Sequence, residues 1–329
     1  MRCICLLTAA VLAGFWFSSA AQADSPLSAP ISISLTPPPA DDTQTNLLLT
    51  QNPAPPTDAS TPAPVSNFSN FFSDYFARVN QAQASQPHWM TPLVTVTPRL
   101  EQEVRYDQYW QNLGNGGVLD TYGSGKGLEL IPTTTNEVLI NPPAYQERYN
   151  KKPASGWADD QFLIIKQRLL SANEQNGNYI VTAFLGFTAP TGTPAFTNRS
   201  WIITPTLAGG KGWGDFNIQA TVGIPVPLAH QDIIGTSIAT NVALQFHVLQ
   251  YFWPEFEMNY TYWANGLRGG KNQIFLTPGL ILGRFEIHDR VRFIIGAGYQ
   301  FAVSPALTKE PVLTPTYDRA WILTARLTF

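Results

Sequence analysis

Four histidines, a run of carboxylates and guanidinium groups at two-residue spacing, and two early cysteines are the side chains from which this chain can build chemistry. Hydrolysis by a Ser–His pair needs a histidine held beside a serine and oriented by a third polar group. His88 precedes the first expected strand, His230 falls in a loop and His288 in a turn. Only His247 is mid-strand, with Asn241 and Gln245 near it, and the sequence places no serine opposite. No His-x-His or His-x-x-x-His pair offers zinc a site, and no Asp-rich loop offers calcium one. Gly209-Gly210-Lys-Gly-Trp-Gly214 lacks the strand–loop–helix setting of a phosphate cradle and reads as a hairpin turn. The sequence therefore assigns no catalytic residue, no metal and no cofactor.

What remains is a set of charged and polar side chains that share one parity. Arg99, Glu101, Glu103 and Arg105 alternate with Val94, Val96, Leu100, Val104 and Tyr106 in a strand expected over 92–110. Gln245 and His247, Glu255 and Glu257, Arg290 and Arg292, and finally Arg326 hold the equivalent positions in later segments. On a strand, such spacing gives one apolar face and one wet face. If the strands close into a barrel in lipid, the wet face lines a lumen, and these eleven residues become pore-lining candidates. They can select a solute, or they can pair into a network that fills a narrow barrel. Desolvation of unpaired charge favours pairing.

The elements that would hold them are strands of period two. Residues 213–226, 236–250, 252–264 and 289–303 alternate clearly, and 178–190, 200–208 and 271–284 do so more weakly. Segment 158–170 is apolar on both faces, so its parity stays open. Trp321, Leu323, Ala325, Leu327 and Phe329 give the last strand an apolar face ending on an aromatic residue. Trp321, Leu323, Leu327 and Phe329 are expected to form the signal read by the barrel assembly machinery of an outer membrane. Counting strands with both termini on one side requires an even number. Splitting 125–145 at Pro132-Thr-Thr-Thr-Asn136 gives twelve, with ten and fourteen as alternatives. Tyr and Trp near strand ends would form girdles at the two lipid–water interfaces.

Targeting agrees with that architecture. Residues 1–23 have the basic start, short apolar run and Ala21-Gln22-Ala23 site of a secretory signal, and they carry Cys3 and Cys5 away. Residues 24–66 are a Pro-rich stretch expected to be a disordered periplasmic linker. Residues 67–86 place aromatics at helical spacing and read as a short amphipathic helix, more readily resting on the barrel mouth than plugging it. Residues 90–329 form the expected all-β domain, a transmembrane antiparallel β-barrel. Charged residues are 13% of the chain and aromatics 12%, which suits a body facing lipid. A net charge of −3 gives no reason for a nucleic-acid partner.

Three segments resemble a known family. They are Leu128-Glu129 with Pro132-Thr-Thr-Thr-Asn-Glu-Val-Leu139, Gly156-Trp-Ala-Asp159 with Lys166-Gln-Arg168-Leu169, and Phe184-Leu-Gly186 with Ala189-Pro-Thr-Gly192. Together they are similar to the outer-membrane transporters named for the meta-pathway of phenol degradation, over about residues 90–329. Ala158 and Gln167 depart from that family's pattern, and the Pro-rich arm is not part of it. The resemblance implies a barrel that passes small, aromatic molecules. The expected role is thus passive passage of a small solute, hydrophobic or aromatic, across the outer membrane, without enzymatic activity. The alternatives are a structural or anchoring barrel of the envelope and a barrel hydrolase centred on His247. Expected partners are the lipid bilayer, the assembly machinery and the solute.

Overall fold

The computed structural model describes residues 67–113, 116–124, 127–304 and 317–329. The signal (1–23) and the Pro-rich arm (24–66) lie outside the described residues. Helix α1 (Asn67–Ala84) comes first. The strands follow as β1 (Glu103–Asn112), β2 (Val118–Ser124, continued by Leu128–Leu130) and β3 (Asn136–Ile140, continued by Tyr145–Tyr149). Next come β4 (Ala154–Trp157, continued by Asp160–Ala172), β5 (Tyr179–Ala189), β6 (Ile202–Trp213) and β7 (Phe216–Gly223). The set is completed by β8 (Ser237–Phe246), β9 (Phe252–Trp263), β10 (Asn272–His288), β11 (Val291–Ser304) and β12 (Arg319–Thr328).

Every strand pairs antiparallel with its neighbours in sequence, and β12 pairs with β1 from Glu103↔Thr328 to Asn112↔Arg319. The result is a closed antiparallel barrel of twelve strands. Closure removes the unpaired edges that lipid would not tolerate. The alternation expected from the sequence is visible strand by strand. In β7, Asn217, Gln219 and Thr221 are buried in the lumen, while Phe216, Ile218 and Ala220 face outward. In β12, Ile322, Thr324 and Arg326 are buried, and Trp321 and Leu327 are exposed to the outside. The ambiguous parity of 158–170 has a physical cause. Bulges between Asp160 and Leu163 and between Arg168 and Leu170 reset the alternation, leaving Leu169 and Leu170 both exposed.

Two expectations need correction. The first strand does not begin at 92. It begins at Glu103, and residues 85–102 leave the wall and run inside the barrel. Pro92 and Pro98 supply no N–H to a ladder, so a central-strand role was excluded by their own chemistry. Val94, Val96 and Leu100 therefore face the lumen's contents and not lipid. Likewise, not every Trp near a strand end joins the expected girdles: Trp89 and Trp253 are buried inside at 4% and 6% exposure. Trp110, Trp201, Trp213 and Trp321 do face outward.

Helix α1 sits at the end of the barrel that carries the short turns and the terminal Phe329. Its face of Tyr75, Val79 and Ala82, at i, i+4 and i+7, packs on Leu100 and Ile131. The carbonyls at its C-terminus have no partner within the helix, and the wall supplies partners. Arg168 Nη1 donates to Ala82 O (2.8 Å) and Asn173 Nδ2 to Ala84 O (3.1 Å). A guanidinium at that end also suits the helix dipole.

Candidate functional site, a plugged lumen

Residues 85–102 make no strand ladder, so every buried backbone group in them needs a partner from the wall. The wall provides partners according to charge. Carboxylates meet the amides: Glu255 accepts from Leu93 N–H (3.0 Å), and Glu257 accepts from Val94 (2.7 Å) and Thr95 (2.6 Å). Glu137 accepts from the Glu101 amide (2.5 Å). Cationic groups meet the carbonyls: Arg326 donates to Thr91 O (2.5 Å) and Pro92 O (3.0 Å), and Arg105 to Pro92 O (3.1 Å) and Leu93 O (2.5 Å). Lys166 Nζ reaches Arg99 O (3.3 Å), and Arg284 holds His88 O (2.9 Å) and Trp89 O (2.8 Å). Each such bond to a charged group contributes about 1.5–3 kcal/mol. The segment is also tied to itself, since Gln86 donates to Leu100 O (2.8 Å) and accepts from Leu100 N–H (2.9 Å).

Apolar contacts fix the register of this plug. Leu93 is fully buried with Met90, Trp253, Ile281 and Ile294. Its side chain occupies the space that Cβ atoms would fill on Gly279, Gly296 and Gly298, where they would come within 2.4, 2.9 and 2.7 Å of it. Three glycines on β10 and β11 thus form a socket for one leucine. Trp89 uses the same device on β6, lying where a Cβ on Gly210 would meet its ring at 2.4 Å. The glycine-rich turn motif therefore continues into the wall as a cradle for a plug residue.

The eleven pore-lining candidates separate into groups. Glu103, Arg105, Gln245, Glu255, Glu257 and Arg326 are buried on the lumenal wall. Arg99 and Glu101 are in the lumen too, but on the plug, where they pair at 2.9 Å. Gln245 joins the network by donating to Glu255 (2.9 Å) and accepting from Gln219 (3.1 Å). Arg290 and Arg292 sit instead at the short-turn mouth. Arg290 lies over the Phe76 ring of α1 (4.4 Å), and Arg292 approaches Glu286 at 3.6 Å with both partners exposed. His247 stacks on Trp253 at 4.0 Å with its Nε2 near Gln250 O (3.4 Å). The hydrolase alternative gains no hydroxyl from these contacts. Sequence reasoning missed Lys166, which is fully buried beside Glu137 (2.7 Å) and Glu129 (3.7 Å). A lysine in an apolar, two-faced stretch was the available signal. Asp107, which pairs with Arg105 at 2.8 Å, was also outside the candidate set.

Beyond the plug, on the side of the longer loops, the described residues leave two cavities in the lumen. One cavity of about 320 Å³ is lined by plug residues Leu93, Val94 and Val96 and by wall residues including Tyr109, Asn141 and Gln161. A second, of about 130 Å³, shares Val96 and lies against Phe184, Thr206 and Asn241. Amides and hydroxyls continue round this vestibule: Asn241 donates to Thr221 (3.0 Å), Asn259 to Asn241 (3.0 Å) and Gln300 to Asn259 (2.9 Å). Its two carboxylates are both engaged. Asp107 pairs with Arg105, and Asp159 accepts from the amides of Gly192 (3.1 Å) and Asn198 (2.6 Å).

No protein-family model matches the sequence, and no curated protein matches it significantly. Among solved structures, the chain is similar to an outer membrane channel from Pseudomonas putida F1, at 14% identity and a TM-score of 0.44. That similarity covers 69% of this chain and 94% of the channel. The KdgM porin is similar at 8% identity and TM-score 0.42, over 69% of this chain and 99% of the porin. The NanC porin is similar at 8% identity and TM-score 0.41, over 69% and 98%. These are likenesses of one barrel to another, and no solute is read from them.

Proposed function

We propose that this protein is an outer-membrane channel for a small neutral solute, with apolar and aromatic molecules as the substrate class. The observation that carries the reading is a vestibule whose two carboxylates among the described residues, Asp107 and Asp159, are both engaged, closed below by a plug held mainly through side chains. Such a plug can be released bond by bond without breaking a β-ladder, and it then leaves a lumen continuous with the periplasmic end. The segments resembling the meta-pathway transporters support the same reading, because they converge on this device. Glu137 and Lys166 grip the plug with Glu129 beside Lys166, Arg168 caps α1, and Asp159 holds Gly192.

Single-channel recording of the refolded full mature chain in planar bilayers tests it, beside a Glu255→Gln/Glu257→Gln variant whose plug anchors are weakened. The expected outcome is a small ohmic conductance that rises in the variant and falls when small aromatics are added. Silence from both proteins, in samples shown to be folded by heat-modifiable migration, overturns the channel reading and leaves a structural barrel.

A further inference from the structure

The seat of the plug reads a peptide backbone. Gln219 donates to Met90 O (2.9 Å), and the guanidinium groups of Arg326 and Arg105 hold the carbonyls of residues 91–93. Glu255 and Glu257 accept from the amides of residues 93–95. Four successive carbonyls and three successive amides are thus met by wall side chains. None of these bonds depends on a side chain of the plug. Arginines face carbonyls and carboxylates face amides, so the bonds are charge-assisted. Arg105 and Arg326 are register partners across β1 and β12, and Glu255 and Glu257 lie together on β9, so strands of the wall position all four. Pro92, with no N–H to place, stands just before the three amides that are placed.

Side-chain readout is confined to one pocket. Leu93 fills the socket of Gly279, Gly296 and Gly298, and Met90 packs in the same buried cluster. The Thr91 hydroxyl bonds within the plug, to Glu101 (2.9 Å), and Val94 and Val96 border the larger cavity. Backbone bonds that give affinity and a pocket that reads one residue are the marks of a peptide-recognition site. Residues 90–95 hold that site by attachment as well as by fit. A tethered segment competes at an effective concentration on the order of millimolar, so it shields the seat from dilute ligand.

We infer that the plug's seat is a peptide-binding site, and that a free short linear peptide with an aliphatic residue after proline exchanges with residues 90–95 for it. The lumen thereby gains a second ligand class, apart from any solute it conducts. Recognition requires a peptide backbone. An apolar molecule without amides fills the glycine socket but leaves the buried charges of Arg105 and Glu257 without the carbonyls and amides they hold now.

The test uses a synthetic peptide of the sequence Met90–Val96, capped by a fluorophore at one end and an amide at the other. Its fluorescence anisotropy is followed against the refolded full mature chain in detergent micelles. Leu93→Ala supplies a chain whose own plug is weakened. Thr95→Pro, which removes an amide that Glu257 accepts from, supplies a second should the first fail to fold. The expected result is saturable binding to the weakened chain, about tenfold or more tighter than to wild type. A peptide with alanine in place of its leucine should bind about tenfold or more weakly, because the socket stays empty. One N-methylated at the first valine should also weaken, and that loss should vanish when Glu257→Leu is added to the chain. Binding that ignores both the leucine and the N-methyl group is partition into the micelle and overturns the site. So does the lack of saturable binding to a folded, weakened chain at millimolar peptide. Conductance of the same proteins separates this from the channel reading. Leucine- and amide-dependent binding to a silent barrel keeps the peptide site and removes the channel, whereas a conducting barrel that binds no peptide does the reverse.

Discussion

His88 and Glu174 show how single residues hold the plug where it leaves the helix. The Glu174 carboxylate accepts from the His88 amide (2.5 Å) and meets its Nδ1 (2.9 Å), in the turn between β4 and β5. Burial works to raise the Glu174 carboxyl, but the His88 amide and ring, together with its own amide, outweigh burial and hold it below 4.5. A depressed acid contributes stability that is present above its unfolded value and lost as pH falls through the folded one. The His88 amide should thus stay protected from hydrogen exchange near neutrality and lose that protection below the usual Glu range, after correction for intrinsic exchange. Glu174→Gln should flatten this dependence. A wild-type His88 amide whose corrected protection ignores acidification would mean the contact does not hold the chain.

At the scale of elements, the barrel was legible because its wall is a repeated local rule. Alternation in β7, β8, β9 and β11 and the terminal Trp321-to-Phe329 face follow from period two, and the even strand count from placing both termini on one side. The plug was not, because 92–102 obeys that rule by accident. Val94, Val96 and Leu100 alternate with Arg99 and Glu101 as a strand would, but they do so against a lumenal surface. The contrary signals were one local and one distant. Pro92 and Pro98 argued against a ladder, and the inward glycines Gly279, Gly296 and Gly298 left a hole with no local explanation. That hole gives a direct test. In Gly279→Val the new side chain collides with Leu93, which Gly296 and Gly298 already enclose, and overpacking of this kind costs about 1–3 kcal/mol. The plug should loosen and single-channel conductance should rise. Adding Leu93→Ala should return it towards the wild-type level by restoring room. A Gly279→Val protein indistinguishable from wild type would show that the socket does not set the plug's position.

For the molecule as a whole, the two closures differ in kind. The wall closes on itself through the β1–β12 ladder, ten residue pairs long. The plug closes the lumen through side chains, and its one tie to the terminal residue is the Phe329 amide donating to Gln102 O (3.0 Å). Local openings draw on the least cooperative parts of a structure. The amides of Leu93, Val94 and Thr95 depend on two carboxylates, whereas those of β9 depend on neighbouring strands along most of their length. Hydrogen exchange of the full chain in lipid should therefore show three tiers: outer loops fastest, the 93–95 amides intermediate, and the β9 amides slowest. Glu257→Gln should move only the middle tier. If the 93–95 amides instead exchange as slowly as β9, plug and wall open as one unit. Solute would then have to pass a lumen that never clears, and the channel reading would fall.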